Sequence, residues 1–351
     1  MKGNAMERLK TYAFKTIRAM QNYYGSVETV YPLALDKITE KTGYYMGLKG
    51  TAHLSPEVFD RLEQLGYYLH TRDKSSLGGR AIDLALKSPI TGKPMTGSSS
   101  GTAMNVFLGI NDLGIGTDGG GSVLAPATAL NLYACIHPDL FREPGTTKQV
   151  KKSTDGINFS PSFGMMGRQL DHIKQVMTDE GWLACDVPKE PLLVGIDNGI
   201  SELVGIGQAL VSHLDCESKY EMPRKALIAC LNQWLEEYRL IITEEGPIDL
   251  VGMGDTVFGH FDEQTQQIQQ EGKKGFLRVV NMCQAFGLIV PTGELSRGYL
   301  LMCKSTDKEA IAYAFELATK IGYPEDSLSR QYFEETKNYF EMGVHVGWVY
   351  Y

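Results

Sequence analysis

Apolar positions along this chain follow two periods, and each period predicts a different element. Met6 to Tyr24 carries Leu9, Ala13, Ile17 and Met20 at helical spacing and stops at Gly25, so a helix packing that stripe on the body is expected. Tyr44 to Lys49, YYMGLK, is a continuous apolar run of strand length. Ser55-Pro56-Glu57 supplies an N-cap, a first-turn proline and a first-turn acid for a helix to about Leu65. Gly66 ends that helix, and YYLHT follows as a strand. Ser75 to Met95 is rich in Gly, Pro, Ser and Lys and reads as an irregular loop. Beyond it, helical patterns fall near 125–134, 169–179, 200–214, 224–238 and 307–321. Strands fall at Leu192–Ile196 and Arg297–Cys303, and an apolar run at Ile248–Met253. A helix followed by a strand, repeated, points to an α/β sheet with parallel pairs.

Composition narrows this to one domain. The 351 residues, 43% of them apolar, suffice for a large core, and no Pro/Ser-rich linker, repeat or charge block divides them. The charge of −8 arises from 42 acidic and 34 basic residues without a basic cluster, which disfavours nucleic acid and anionic membrane as partners. The six cysteines (135, 185, 216, 230, 283 and 303) form no CxxC pair and read as reduced thiols. MKGNAMERLK lacks an apolar h-region, and no run of about 18 apolar residues follows anywhere. A cytoplasmic location is therefore expected. The histidines lack ligand spacing and no Walker lysine follows the glycines, so neither a metal nor a cofactor is expected.

Chemistry concentrates in Thr96 to Pro126, TGSSSGTAMNVFLGINDLGIGTDGGGSVLAP. Two glycine turns, each carrying serine, bracket a small-residue helix and a short strand. Glycine turns bring backbone close to a ligand and leave N–H groups free to face it. A fold that sets the turns side by side brings Ser98, Ser99 and Ser100 near Ser122.

Gly97-Ser98-Ser99-Ser100-Gly101 and Gly116-Thr117-Asp118-Gly119-Gly120-Gly121-Ser122 resemble the GGSSGG and GTDxGGS turns of the amidase signature family, although Thr96 and Ser100 replace glycines. Ser160–Arg168 and Asn281–Pro291 resemble two further patches of that family, and the likeness spans roughly residues 44 to 322. It implies a single α/β domain with a central mixed sheet covered by helices, preceded by a helical segment (1–43) and followed by a helical tail (323–351) packed on the same domain. The chain is short for that family; GLKPT is replaced by Ala134–Pro138, and Leu124 stands where an arginine is usual.

The function implied is amide-bond hydrolysis on carbon–nitrogen bonds other than peptide bonds, through a Ser-cisSer-Lys triad and an acyl-enzyme. Ser122 is the implied nucleophile, and Ser98 the bridging cis-serine, 24 positions earlier (122 − 98). A one-residue deletion between the turns would pass that role to Ser99. Lys49 is the candidate base because it ends an apolar strand, where burial lowers a lysine pKa. Lys37, Lys41, Lys74, Lys87 and Lys93 lie in polar surroundings instead. The N–H groups of Gly119, Gly120 and Gly121 are the expected oxyanion hole, with Ser99, Thr117 and Asp118 in support. The resemblance further implies a cis Gly97–Ser98 bond. The implied partner is a small-molecule or short peptidyl amide, with a homodimer allowed.

Other readings use the same residues. An amine or ammonia in place of water gives amide transfer, and loss of activity would leave a binding protein. Gly97–Gly101 also satisfies G-x-S-x-G, the α/β-hydrolase elbow, which needs a preceding strand and a histidine such as His260 or His345 with Asp249 or Asp255.

Overall fold

The strand YYMGLK lies buried along almost its whole length, and the rest of the sheet is laid out on either side of it. A computed structural model describes residues 2–143, 145, 147–184, 188, 190–200, 209–323 and 326–335. In chain order the strands are β1 (Val27–Val30), β2 (Tyr44–Lys49), β3 (Tyr67–Asp73), β4 (Ile82–Lys87), β5 (Pro94–Thr96), β6 (Leu113–Asp118), β7 (Tyr133–His137) and β8 (Lys151–Lys152). They continue as β9 (Asn158–Phe159), β10 (Ser162–Gly167), β11 (Leu193–Asp197), β12 (Leu210–Leu214), β13 (Leu240–Glu245), β14 (Ala285–Pro291) and β15 (Gly298–Lys304). The helices are α1 (Lys2–Gln21), α2 (Pro56–Gln64), α3 (Ser100–Phe107), α4 (Leu124–Ala129), α5 (Leu170–Asp179), α6 (Arg224–Glu237), α7 (Glu263–Gln270), α8 (Lys308–Ile321) and α9 (Ser327–Phe333).

Eleven strands form one mixed sheet in the order β1-β3-β2-β6-β10-β7-β14-β15-β13-β11-β12. β2 runs parallel to both β3 and β6, and β11 parallel to both β12 and β13; the joints between these groups are antiparallel. Successive side chains on a strand point to opposite faces. Thus Ile136, Met166, Ile289, Leu300 and Met302 enter one core with α3, α4 and α6. Their neighbours Cys135, Met165, Leu288, Leu301 and Cys303 enter the other with α2, α5 and α8. Helices cover both faces, as a sheet apolar on both sides requires.

Several expectations need correction. On α1 the expected stripe faces out, with Leu9 38%, Ile17 36% and Met20 65% exposed. The buried side is Tyr12, Thr16 and Ala19, because the Tyr12 hydroxyl donates to Asp112 (2.9 Å) and Thr16 bonds the Tyr45 hydroxyl (2.8 Å). Polar anchors on aromatic bodies outweigh the aliphatic stripe. The segment after α1 adds β1 to the sheet edge beside β3, so residues 27–30 belong to the main domain. The loop 75–95 contains β4, which pairs with β5 as a hairpin. The helix over 125–134 stops at Ala129, and Tyr133–His137 is a strand between β10 and β14. Asn131, with φ +52°, turns the chain between them.

Within the matched stretch 160–168, Ser162–Gly167 is a strand, and it leads into α5 at Leu170–Asp179, where the helix was expected. Of the pattern at 200–214, residues 201–208 lie outside the described residues, and Leu210–Leu214 is an edge strand whose ladder partner is β11. In the tail, Phe333 of α9 packs its ring 4.9 Å from that of Phe107, and residues 336–351 lie outside the described residues. No described helix is long and apolar enough to cross a membrane.

Candidate active site

Lys49, Asp73 and Asp118 end three neighbouring parallel strands, so all three sit on the carboxyl edge where open α/β sheets hold their ligands. Lys49 is 4% exposed. Its Nζ donates to Ser98 Oγ at 2.7 Å and to Thr117 Oγ1 at 3.1 Å, with the Thr117 carbonyl at 3.4 Å. Burial pulls the Lys49 pKa down to about 8, against the attraction of Asp118 and with a small push from Lys151.

The β4–β5 hairpin delivers the first serine turn to this lysine. Gly97 has φ +73°, and a Cβ there would lie 2.5 Å from Cδ of Pro126, so only glycine fits. The turn docks onto the second one through the Ser99 N–H, which donates to the Ser122 carbonyl at 3.1 Å. The three serines then diverge. Ser98 faces Lys49, Ser100 donates to Asp83 at 2.6 Å, and the buried Ser99 hydroxyl lies against Gly116 without a hydrogen-bond partner among the described residues.

Asp118 organises the second turn from beneath. It is fully buried and accepts from the N–H groups of Gly121 (2.7 Å), Val123 (2.6 Å) and Leu124 (3.3 Å). Burial raises its pKa, and these three amides pull the other way. Leu124, at the position where an arginine is usual, is a core residue. One consequence of the amide bonds is a correction to the expected oxyanion hole: the Gly121 N–H is committed to Asp118. Gly119 and Gly120 keep N–H groups with no hydrogen-bond partner among the described residues.

Ser122 is half-buried, and its hydroxyl makes no hydrogen bond among the described residues. The structure thus brings Lys49, Ser98 and Thr117 into direct contact and sets the backbone of Ser122 beside the first turn, while no hydrogen bond joins Ser98 to Ser122. The expected cis Gly97–Ser98 bond is absent; among the described residues the one cis bond is Gly246–Pro247. Gly97 takes a positive φ at this turn instead.

The elbow reading finds no triad here. His260 bonds the Val257 carbonyl, Asp255 pairs with Arg80 and Asp249 with Lys274, while His345 lies outside the described residues. Three neighbours of the glycine turn were not singled out in the sequence. The Phe159 ring lies where a Cβ of Gly119 would be, 2.3 Å from Cε2. Met282 and Arg224 flank Gly120 in the same way, at 3.6 and 3.3 Å from its Cβ position. Asn281, inside a stretch already matched, ties Gly119 O (3.3 Å) to Ser160 O (3.0 Å) and accepts from the Ser162 hydroxyl. Asn281 and Met282 thus fall in the stretch matched at 281–291, whereas Phe159 and Arg224 carried no sequence signal.

Among solved structures, this fold is similar to that of a bacterial aryl acylamidase of the amidase signature enzymes, with TM-score 0.60 and 15% identity over 93% of this chain and 94% of that one. The chain has the amidase signature fold. A 6-aminohexanoate cyclic dimer hydrolase in complex with its substrate is also similar (TM-score 0.61, 12% identity, 90% of this chain and 94% of that one). So is an amidase (TM-score 0.57, 15% identity, 90% and 96%). No family model matches the sequence, and no curated protein matches it. In the amidase signature fold of this chain, the serines and the lysine stand together at the carboxyl edge of β2 and β6.

Proposed function

We propose that this chain is an amide-bond hydrolase acting on a small-molecule or short peptidyl amide, with Ser122 as nucleophile, Ser98 as relay and Lys49 as base. The observation that carries the reading is the 2.7 Å hydrogen bond from a 4% exposed lysine to Ser98. A lysine accepts a proton only in its neutral form, and burial lowers the Lys49 pKa to about 8, so that form becomes the major one above about pH 8. Ser122 Oγ attacks the carbonyl carbon as its proton passes to Ser98, whose own proton passes to Lys49. The oxyanion meets the N–H groups of Gly119 and Gly120. Collapse breaks the carbon–nitrogen bond, and the relay returns the proton to the leaving amine. Water then attacks the acyl ester, giving the carboxylic acid and restoring Ser122. Ammonia or an amine in place of water would make the same acyl-enzyme a transferase.

The fold neighbours that are an aryl acylamidase and a cyclic-dimer hydrolase support this class. The Ser98–Ser122 contact tightens when substrate enters, as hydrogen bonds of unliganded catalytic sites commonly do. That open contact is the one observation favouring a second reading, a lapsed amidase-like binding protein. A fluorophosphonate probe separates them. Mass spectrometry is expected to find the adduct on Ser122, with labelling and amide turnover both lost in Ser122→Ala. Adduct on Ser99 supports the α/β-hydrolase arrangement instead, and a folded, unlabelled protein supports the lapsed one.

A further inference from the structure

The hairpin β8–β9 leans over the nucleophile turn and holds an arginine there. Phe159 of β9 covers Gly119, and Asp155 at the hairpin tip grips Arg224, the first residue of α6. Arg224 donates through Nε (2.7 Å) and Nη2 (2.5 Å) to the two Asp155 oxygens, and Nη2 also reaches Thr154 Oγ1 at 3.5 Å. The remaining nitrogen, Nη1, has no hydrogen-bond partner among the described residues and points at Gly120, 3.3 Å from where a Cβ would stand. The side chain is only 13% exposed, so its direction is fixed by the clasp. An arginine that spends two nitrogens on one carboxylate and turns the third toward a free glycine amide presents donors to whatever lies over that amide.

We propose that the acyl side of this site takes a group bearing a carboxylate, which Arg224 Nη1 meets as a charge-assisted hydrogen-bond donor. This names the substrate class of the amidase reading and rests on that reading for the position of the acyl group. The surrounding charge agrees. Arg278 is half-buried and, among the described residues, bonds carbonyls alone, those of Gly275, Lys219 and Met222, each at 3.1 Å. Burial, against the attraction of Glu245 and with repulsion from Arg224, lowers its pKa to about 10. Lys151 on β8 adds a third cation, while Asp155 is already matched by Arg224. Phe159 and Met282 form apolar walls, where an unpaired guanidinium donor is costly and a paired one discriminates strongly. An uncharged acyl group would leave Nη1 desolvated and unmatched; a cationic one would be repelled.

Binding separates this from catalysis. Calorimetry on the full Ser122→Ala chain would compare glutaric acid monoamide with the neutral diamide of the same length. The monoamide is expected to bind at least about tenfold more tightly, with the preference shrinking as salt rises. In Ser122→Ala/Arg224→Met the ratio is expected to fall toward one, and Arg224→Lys should keep part of it. Asp155→Asn loosens the clasp that aims the guanidinium but leaves its charge, so it should keep part of the preference for the anion. Equal binding of the two amides to Ser122→Ala overturns the inference, as does a preference that survives Arg224→Met. Equal loss of preference in Arg224→Met and Asp155→Asn would make the arginine a hairpin clasp alone. Turnover of neutral amides without charge preference would leave the hydrolase standing and this inference fallen. Charge-selective binding without Ser122 labelling would do the reverse.

Discussion

Lys49 carries a conflict between stability and chemistry that a single substitution exposes. Burial holds its folded pKa at about 8, beneath the 10.5 of a free lysine. Between those values the unfolded chain keeps a proton that the folded chain gives up, so this group's contribution to stability rises with pH across that window. Below about pH 8 its full cost is present, roughly 3 kcal/mol at about 1.4 kcal/mol per tenfold change in proton affinity. The hydrogen bonds to Ser98 and Thr117 return about 1 kcal/mol each. Lys49→Met is therefore expected to raise unfolding free energy at pH 7 by about 1 kcal/mol, read by urea titration, while amide turnover is lost. Lys49→Arg should lose turnover as well, because a guanidinium stays protonated. A destabilised Lys49→Met that keeps turnover would mark the lysine as structural.

At the scale of elements, the site depends on how closely two loops approach. Gly97 has its left-handed backbone and the Pro126 ring against it, so a methyl group has no room. Gly97→Ala is expected to cost about 1–3 kcal/mol of stability and to reduce labelling of Ser122 at least tenfold, as Ser98 leaves Lys49. A thermal melt and a labelling time course would check both. This closeness was legible in the sequence, since glycines flanking serines in both turns predict backbone-to-backbone docking. The strand ending in Lys49, the helix start at Ser55 and the final strand–helix pair were legible for a like reason: one dominant local signal each. The buried face of α1 was not, because hydroxyl contacts from Tyr12 to Asp112, 100 residues away, and from Thr16 to Tyr45, 29 residues away, decide it. Nor was β7, whose YACIH is a strand by virtue of its two flanking partners. Arg224 gave no local sign at all; only the fold sets it beside Gly120.

The described residues are built on one eleven-stranded sheet with a core on each face, and the edge strand β1 makes the N-terminal segment part of it. Val27 is buried, the Ser26 hydroxyl donates to Asn105 at 2.5 Å, and Asn105 in turn donates to Asp73 at 2.6 Å behind the site. Removing residues 1–30 is therefore expected to lower the melting temperature by several degrees and to broaden the transition, rather than leave an intact domain from residue 44. An unchanged melt would show that the segment is an appendage.

The proposed role of Lys49 as base for Ser122 through Ser98 is tested most directly, and without a known substrate, by the pH dependence of fluorophosphonate labelling. The rate constant for adduct formation on Ser122 should rise about tenfold per pH unit on the acid side and level off near pH 8, where Lys49 becomes neutral. The same limb should be missing in Lys49→Met, whose residual rate is low and flat. A wild-type rate that does not change between pH 5 and 9, or a Lys49→Met protein labelled on Ser122 at the wild-type rate, would contradict the relay.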